Sequence, residues 1–220
     1  MKYLKYFEEA SAYEAYKNGS DYVLPNVSYV VENNVVNYNP YKVQETRLVC
    51  TYNVTNTTSE TIICRDTSSF TSMEVDGVLL DSVTTGYTFD TVGEHMIKFE
   101  LADPTSIGNM TFHKCIDLAS VVIPDSVTTI GNQAISYCTS LTSITIPDSV
   151  ISIGDDVFYF STNLNEIICL AITSPNISNN TFIEVKEGGI LKVPAGSDYS
   201  SWMSTDNYYL GKYNWTIEYI

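Results

Sequence analysis

The segment Ile123-Pro124-Asp125-Ser126-Val127 recurs letter for letter as Ile146-Pro147-Asp148-Ser149-Val150. The offset of 23 residues reaches well beyond this pentapeptide. It relates Ile107, Ile130 and Ile153, then Phe112, Ile135 and Phe158. It also relates Leu118, Leu141 and Leu164, and Val121, Ile144 and Ile167. The pattern occupies residues 107 to 169, and its third copy fades after Cys169. A fixed period of this size marks a solenoid, in which each turn buries its apolar face only against its neighbours.

The physics of one turn is readable. Leu141-x-x-Ile144-x-Ile146 alternates apolar with polar, which predicts a short strand with one face buried. Pro147 ends it, because proline cannot donate to a ladder running into the next coil. Val150 and Ile153 turn inward again, and Gly154 is expected to permit a tight bend. Residues 155 to 160 then descend the other side with Val157 and Phe158 inward. Stacked copies predict a parallel sheet with one strand per coil.

Leu141, Ile144, Ile146-Pro147, Val150, Ile153-Gly154, Phe158 and Cys138 together resemble the leucine-rich repeat subtype first associated with BspA-like surface proteins of anaerobic bacteria. The resemblance covers roughly residues 101 to 195. Val193-Pro194-Ala195-Gly196-Ser197-Asp198-Tyr199 through Trp202 is similar to the closing segment of such proteins. The resemblance implies a binding scaffold that serves many partners. Two full copies make a short array where about three are normally needed, so the flanking segments are expected to act as caps.

Within 220 residues, hydrophobic content of 44% is ordinary for a globular chain. The net charge of −15 argues against a nucleic-acid or anionic-membrane partner, either of which wants a basic face. No apolar run has the length of a membrane span, and Met1 to Glu9 contains no stretch of signal-peptide length. Seventeen tyrosines fit either plain strand propensity or an interface and sugar-binding surface. The five cysteines, Cys50, Cys64, Cys115, Cys138 and Cys169, form no CxxC pair. They read as buried free thiols, with a Cys50–Cys64 bridge as the alternative. Cys115 and Cys138 lie one repeat apart and are expected on adjacent coils.

Three domains are expected. Residues 1–42 form an anchoring block, with a short helix over 1–19 and a hairpin that turns at Glu32-Asn33-Asn34. Its phrases Leu24-Pro25-Asn26-Val27-Ser28-Tyr29 and Tyr38-Asn39-Pro40 resemble a lead-in segment of proteins of gut Bacteroides and their bacteriophages. Residues 43–102 read as a small Ig-like β-sandwich, because short alternating strands follow turn signals about every ten residues. Asp76-Gly77 marks a hairpin within it, and the whole module is expected to cap the first coil, with the strand over 95–102 feeding directly into it. Residues 103–220 are the solenoid, with an aromatic C-terminal cap from about 190. The fold class is thus mainly β.

Nothing in the sequence points to an enzyme. His95 and His113 belong to no metal-ligand spacing and read as surface histidines. Gly-rich phosphate loops, Gly-x-Ser-x-Gly and His-Glu-x-x-His are all missing. Glu8-Glu9 and Asp155-Asp156 are adjacent, so their side chains diverge and make poor acid–base pairs. No catalytic residue, metal or cofactor is therefore expected. Tyr199, Trp202, Tyr208, Tyr209 and Tyr213 are the candidate ligand surface, although their crowding equally suits a cap over the last coil.

The expected function is that of a non-enzymatic structural or binding protein. One placement is a bacteriophage virion surface, as a head fibre or decoration protein assembled in the host cytoplasm. Its N-terminal block would contact a capsid or other virion protein, and its repeats a host surface protein or glycan. A fibre of this kind implies a homotrimer. The other placement is a bacterial cell-surface adhesin of the BspA-like type. Neither placement involves nucleic acid or membrane insertion.

Overall fold

The structure, a computed structural model, describes residues 29–32, 35–38, 47–178, 180–206 and 208–220. The chain divides into two compact units, Met1–Glu45 and Thr46–Ile220. In the first, β1 (Tyr29–Glu32) and β2 (Val35–Tyr38) pair antiparallel, with Tyr29 opposite Tyr38 and Glu32 opposite Val35. This register is the hairpin that the sequence predicts. The helix expected over 1–19 lies outside the described residues.

The second unit begins with β3 (Leu48–Val54), β4 (Thr61–Ile62), β5 (Phe70–Val75), β6 (Val78–Leu79), β7 (Gly86–Tyr87) and β8 (Gly93–Leu101). The repeats then alternate between two sheets. One series comprises β9 (Ser106–Ile107), β11 (Thr129–Ile130), β13 (Ser152–Ile153) and β15 (Asn176–Ile177). The other comprises β10 (Leu118–Val122), β12 (Ser143–Ile146), β14 (Glu166–Cys169), β16 (Ile190–Val193) and β17 (Thr216–Tyr219). Both series are parallel throughout. The described residues contain no α-helix.

Stacking sets identical positions of successive coils on top of one another. Ile130 pairs with Ile153, and Ile144 with Ile167. Ile107, Phe112, Leu118, Val121 and Ile123 are buried with all their counterparts one and two coils along. Each such side chain removed from water contributes about 1.5–3 kcal/mol. Neighbouring coils also bond outside the strands. Gly131 N–H donates to the Ile107 carbonyl at 2.8 Å, and Gly154 N–H to that of Ile130 at 2.9 Å. Ile135 donates to Val157, and Tyr137 to Tyr159, on the remaining side. The coil backbone is therefore satisfied by its neighbours around its perimeter, as buried peptide groups require.

An asparagine ladder fixes the corner after each short strand. The Asn109 Oδ1 accepts from Asn132 N–H at 2.7 Å, and the Asn132 Oδ1 from Asp155 N–H at 3.0 Å. Gly131 and Gly154 sit beneath these side chains. A Cβ on Gly131 would lie 2.6 Å from Asn109 Oδ1 and 2.8 Å from the Gly108 carbonyl carbon. Gly154 meets Asn132 and Gly131 in the same way. Neither glycine has positive φ, so the tight bend expected at Gly154 is not its role. Glycine is needed there because adjacent coils approach too closely for a side chain.

The region expected as an Ig-like sandwich is built differently. Strands β3, β8, β5 and β6 extend the parallel sheet of the repeats into one nine-stranded sheet of order β17-β16-β14-β12-β10-β3-β8-β5-β6. Only the two-stranded ladder β4-β7 stands apart from it in this region. The reason lies at β10, whose free edge is covered by antiparallel pairing with β3, Val121 opposite Cys50. This region thus caps the first coil through β3, with β8 one place further out. Stacked Phe70 and Phe99 (centroids 4.3 Å apart) reach Phe112 of the first coil at 6.0 and 5.9 Å. Residues 46–220 form one compact unit.

The Asp76-Gly77 hairpin forms as predicted, with both residues at positive φ and Val75 opposite Val78. It also explains His95, which lies inside β8 and is buried rather than exposed. His95 Nδ1 is 2.7 Å from Asp76 Oδ2, and Nε2 is 2.9 Å from the Thr91 carbonyl. Both ring nitrogens face acceptors, an arrangement that suits imidazolium. Burial opposes that charge, but the bonds to Asp76 and Thr91 more than offset it and raise the histidine above its usual value. Asp76 is lowered: burial works against its charge, and the bonds from His95 and Met96 N–H outweigh it.

Two outcomes follow from this architecture. Gly131→Ala and Gly154→Ala should each destabilise the protein by about 1–3 kcal/mol in urea unfolding, whereas unchanged midpoints would contradict the close approach of the coils. The histidine contribution is full below its unfolded value of 6.5 and fades as pH rises through the higher folded value. The aspartate contribution is full above 3.8 and fades as pH falls through its lowered folded value. The stability difference between wild type and Asp76→Asn should therefore be greatest between about pH 4 and 6.5 and shrink on either side; a flat difference would show that the pair carries no charge.

Candidate functional site

The five C-terminal aromatics expected as a ligand surface do not share one. Tyr199, Trp202 and Tyr213 are buried, Tyr209 is half-buried and Tyr208 is exposed. Tyr199 Oη donates to the Ala171 carbonyl at 2.8 Å, and Trp202 Nε1 to that of Pro175 at 3.1 Å. Tyr213 Oη accepts from Glu184 N–H at 3.0 Å, and Trp215 Nε1 donates to the Lys186 carbonyl at 2.7 Å. Each aromatic thus buries its ring against the last coils while its polar atom meets backbone that has no further coil to bond. Stacked Phe158 and Phe182 lead into Trp202 and Tyr199. Of these five, Tyr208, with Lys212 Nζ 4.1 Å from its ring centroid, is the most open to solvent.

The thiols are buried and free at all five positions, Cys50 and Cys64 included. Burial pushes Cys169 up to about 11 and Cys64 up to about 12, so neither is a nucleophile near neutral pH. No group of three or more His, Cys, Asp or Glu suited to a metal occurs among the described residues. The described residues also include no helix long and apolar enough to cross a membrane.

Two surfaces are open. The first is the outward face of the nine-stranded sheet. The registers set Glu218, Lys192, Ile168, Thr145, Val122, Val49, Lys98 and Glu74 in one row across it. Small residues, Ser120, Ser143 and Thr51, fill the middle of the next row. Near its ends the face is tied by Lys192 Nζ to Glu166 at 2.6 Å and Arg47 to Glu74 at 2.9 Å. Two ion pairs thus sit on this face.

The second surface lies where the capping region meets the first coils. A cleft of about 420 Å³ opens there. Glu60, Ile62 and Arg65 line it from the capping side, and Lys114, Ile116, Asp117, Tyr137 and Thr139 from the coils. Arg65 is held in place by its Nε–H, which donates to the His113 carbonyl at 3.0 Å. Lys114 Nζ stands 5.6 Å from the Tyr137 ring centroid. The field of the two cations is felt by His113: burial first, then Lys114 and Arg65, lower its affinity for a proton. Burial alone raises Asp117.

The backbone beside this cleft takes a left-handed turn, as Met110, Gln133 and Asp156 do at another corner of the coils. Lys114, Tyr137, Phe160 and Glu184 occupy equivalent turns of successive coils, and all four have φ between 57° and 60°. The left-handed turn itself belongs to the coil. A bulky side chain there costs about 1–2 kcal/mol relative to glycine. Tyr137 and Phe160 nevertheless stack at 5.2 Å with their planes 17° apart, and both stay partly open to solvent. Tyr159, bonded to Tyr137, adds a third ring at 5.2 Å. His113, expected on the surface, is half-buried at the end of this strip, 5.5 Å from Tyr137. Its Nδ1 lies 2.7 Å from Oγ of Ser136, its equivalent one coil along. The repeat does carry a signal for the strip: Lys114, Tyr137 and Phe160 share the 23-residue offset yet follow no apolar rule.

Truncation separates cap from surface. Trp202→Ala should lower stability by about 3–5 kcal/mol, measured by urea unfolding, whereas Tyr208→Ala should leave it within about 0.5 kcal/mol. A small loss at Trp202 would mean that the aromatic cluster does not close the solenoid.

Residues 82–199 match the family described as BspA type Leucine rich repeat region (6 copies). The match begins ahead of β9, within the capping region, and ends at the buried Tyr199. No curated protein and no solved structure matches the chain. The matched segment spans more than half the sequence and contains the stacked coils described above, so the chain belongs to the BspA type leucine-rich repeat family.

Proposed function

We propose that the chain is a non-enzymatic binding protein displayed on a surface, and that its recognition site is the cleft at the cap–coil junction with its aromatic strip. One observation carries this reading: bulky aromatics occupy left-handed turns, at a cost to stability, beside cations that carry no ion pair among the described residues. Strained positions of this kind persist where function retains them. The sheet face, with its two ion pairs, is the lesser candidate.

Two placements are consistent with such a module. In the first, residues 1–45 attach the protein to a capsid or other virion protein of a bacteriophage, as a head fibre or decoration protein, and the repeats meet a host surface protein or glycan. The division of the chain after Glu45 supports a distinct attachment unit. In the second, the protein is a cell-surface adhesin, a placement that the family match supports.

The site assignment is tested by flow cytometry of labelled full-length protein on host cells. Lys114→Gln combined with Arg65→Gln should weaken binding at least about tenfold, while Thr145→Arg on the sheet face should leave it unchanged. The opposite pattern would move the site to the sheet. Mass spectrometry of purified phage particles and of biotinylated bacterial surfaces separates the placements: the first predicts the chain among capsid proteins.

A further inference from the structure

We propose that the cleft binds a carboxylate-bearing saccharide unit, the ring of an acidic sugar lying against Tyr137 and its carboxylate between Arg65 and Lys114. This rests on the cleft reading above and names its ligand class. Size comes first. About 420 Å³ accommodates a sugar-sized group. A stable protein partner instead covers about 800 Å² on each side, which this cleft does not offer.

Charge comes second. The chain has 26 acidic and only 11 basic side chains, so an anion meets repulsion over most of the surface. Arg65 and Lys114 line the cleft together and form no ion pair among the described residues. The Arg65 Nε–H is spent on the His113 carbonyl, which steadies the guanidinium without using its terminal nitrogens. A guanidinium held in this way presents a two-pronged donor to a carboxylate.

The remaining lining selects among anions. Glu60, Asp117 and Thr139 supply oxygens that accept hydrogen bonds from hydroxyls, and the two carboxylates oppose a dianionic phosphate more strongly than a singly charged carboxylate. Tyr137 supplies a partly exposed face against which the C–H side of a sugar ring packs. One molecule that carries a carboxylate, several hydroxyl donors and an apolar ring face satisfies all three features. A uronic acid and a sialic acid share that chemistry.

The test is calorimetry of the full chain with a tetrasaccharide of hexuronic acid, with its carboxyl-reduced neutral counterpart, and with a sialyl trisaccharide. The hexuronate or the sialyl probe should bind, and for the hexuronate the reduced form should bind at least about tenfold more weakly, equivalent to about 1.4 kcal/mol. Lys114→Gln and Arg65→Gln should each remove most of that preference. Unchanged circular dichroism and urea midpoints in both variants keep the comparison clean. Equal binding of the acidic and reduced forms, or binding of neither acidic probe, overturns the inference. A preference that survives both substitutions places the anion elsewhere and overturns it as well. If Lys114→Gln still weakens cell binding while no acidic preference exists, the sugar assignment falls and the cleft reading stands. If cell binding is also untouched, both fall.

Discussion

The close stacking of one coil on the next constrains everything else in residues 46–220. Neighbouring backbones approach so nearly at Gly131 and Gly154 that no Cβ fits, and the Asn109–Asn132–Asp155 ladder locks that approach from outside. The spacing of equivalent residues is then set by peptide hydrogen bonding between coils rather than by side-chain volume. Leucine, isoleucine, phenylalanine and cysteine consequently replace one another down a column, provided that each fills its level. Cys169 beneath Ile146 is such a replacement.

A stack of this kind has two open ends, and the chain closes them by different physics. At the first coil the parallel sheet continues into an antiparallel one. The change of direction at β10–β3 is accommodated by an irregularity between Leu118 and Ser120. At the last coil a bulky indole and phenol cluster covers the exposed apolar column and bonds the orphaned carbonyls of Ala171, Pro175 and Lys186. At the first end the residues around β4 and the first coils leave a cation-lined cleft.

The repeat region was legible because its period is long-range information carried by many residues at once. Ile107, Leu118 and Val121 announce their columns without any knowledge of the fold. The Asp76-Gly77 turn was legible because it is local. The sandwich expectation failed at β3, since an alternating strand such as Leu48–Val54 reads the same whichever edge it joins; its partner β10 lies some seventy residues away. His95 was misread because its partner Asp76 comes from a different strand pair. The final rung, Thr216–Tyr219, also went unrecognised. It follows the preceding rung by 26 residues rather than 23, Ile190 facing Thr216, and its exposed edge relaxes the demand for apolar residues. The C-terminal aromatics drew notice for their number. The proposed site instead centres on Tyr137 and Phe160, whose left-handed backbone angle composition does not show.

The central claim is that capping strands and coils form one cooperative body with a shared sheet across β3 and β10. Amide hydrogen exchange of the native protein tests it most directly. The account predicts that Cys50 in β3, Ile97 in β8, and Ile144 and Ile167 in the coils exchange through a common opening, with closely similar free energies. Exchange of β3 and β8 through a separate, lower-energy opening while the coils stay protected would contradict it.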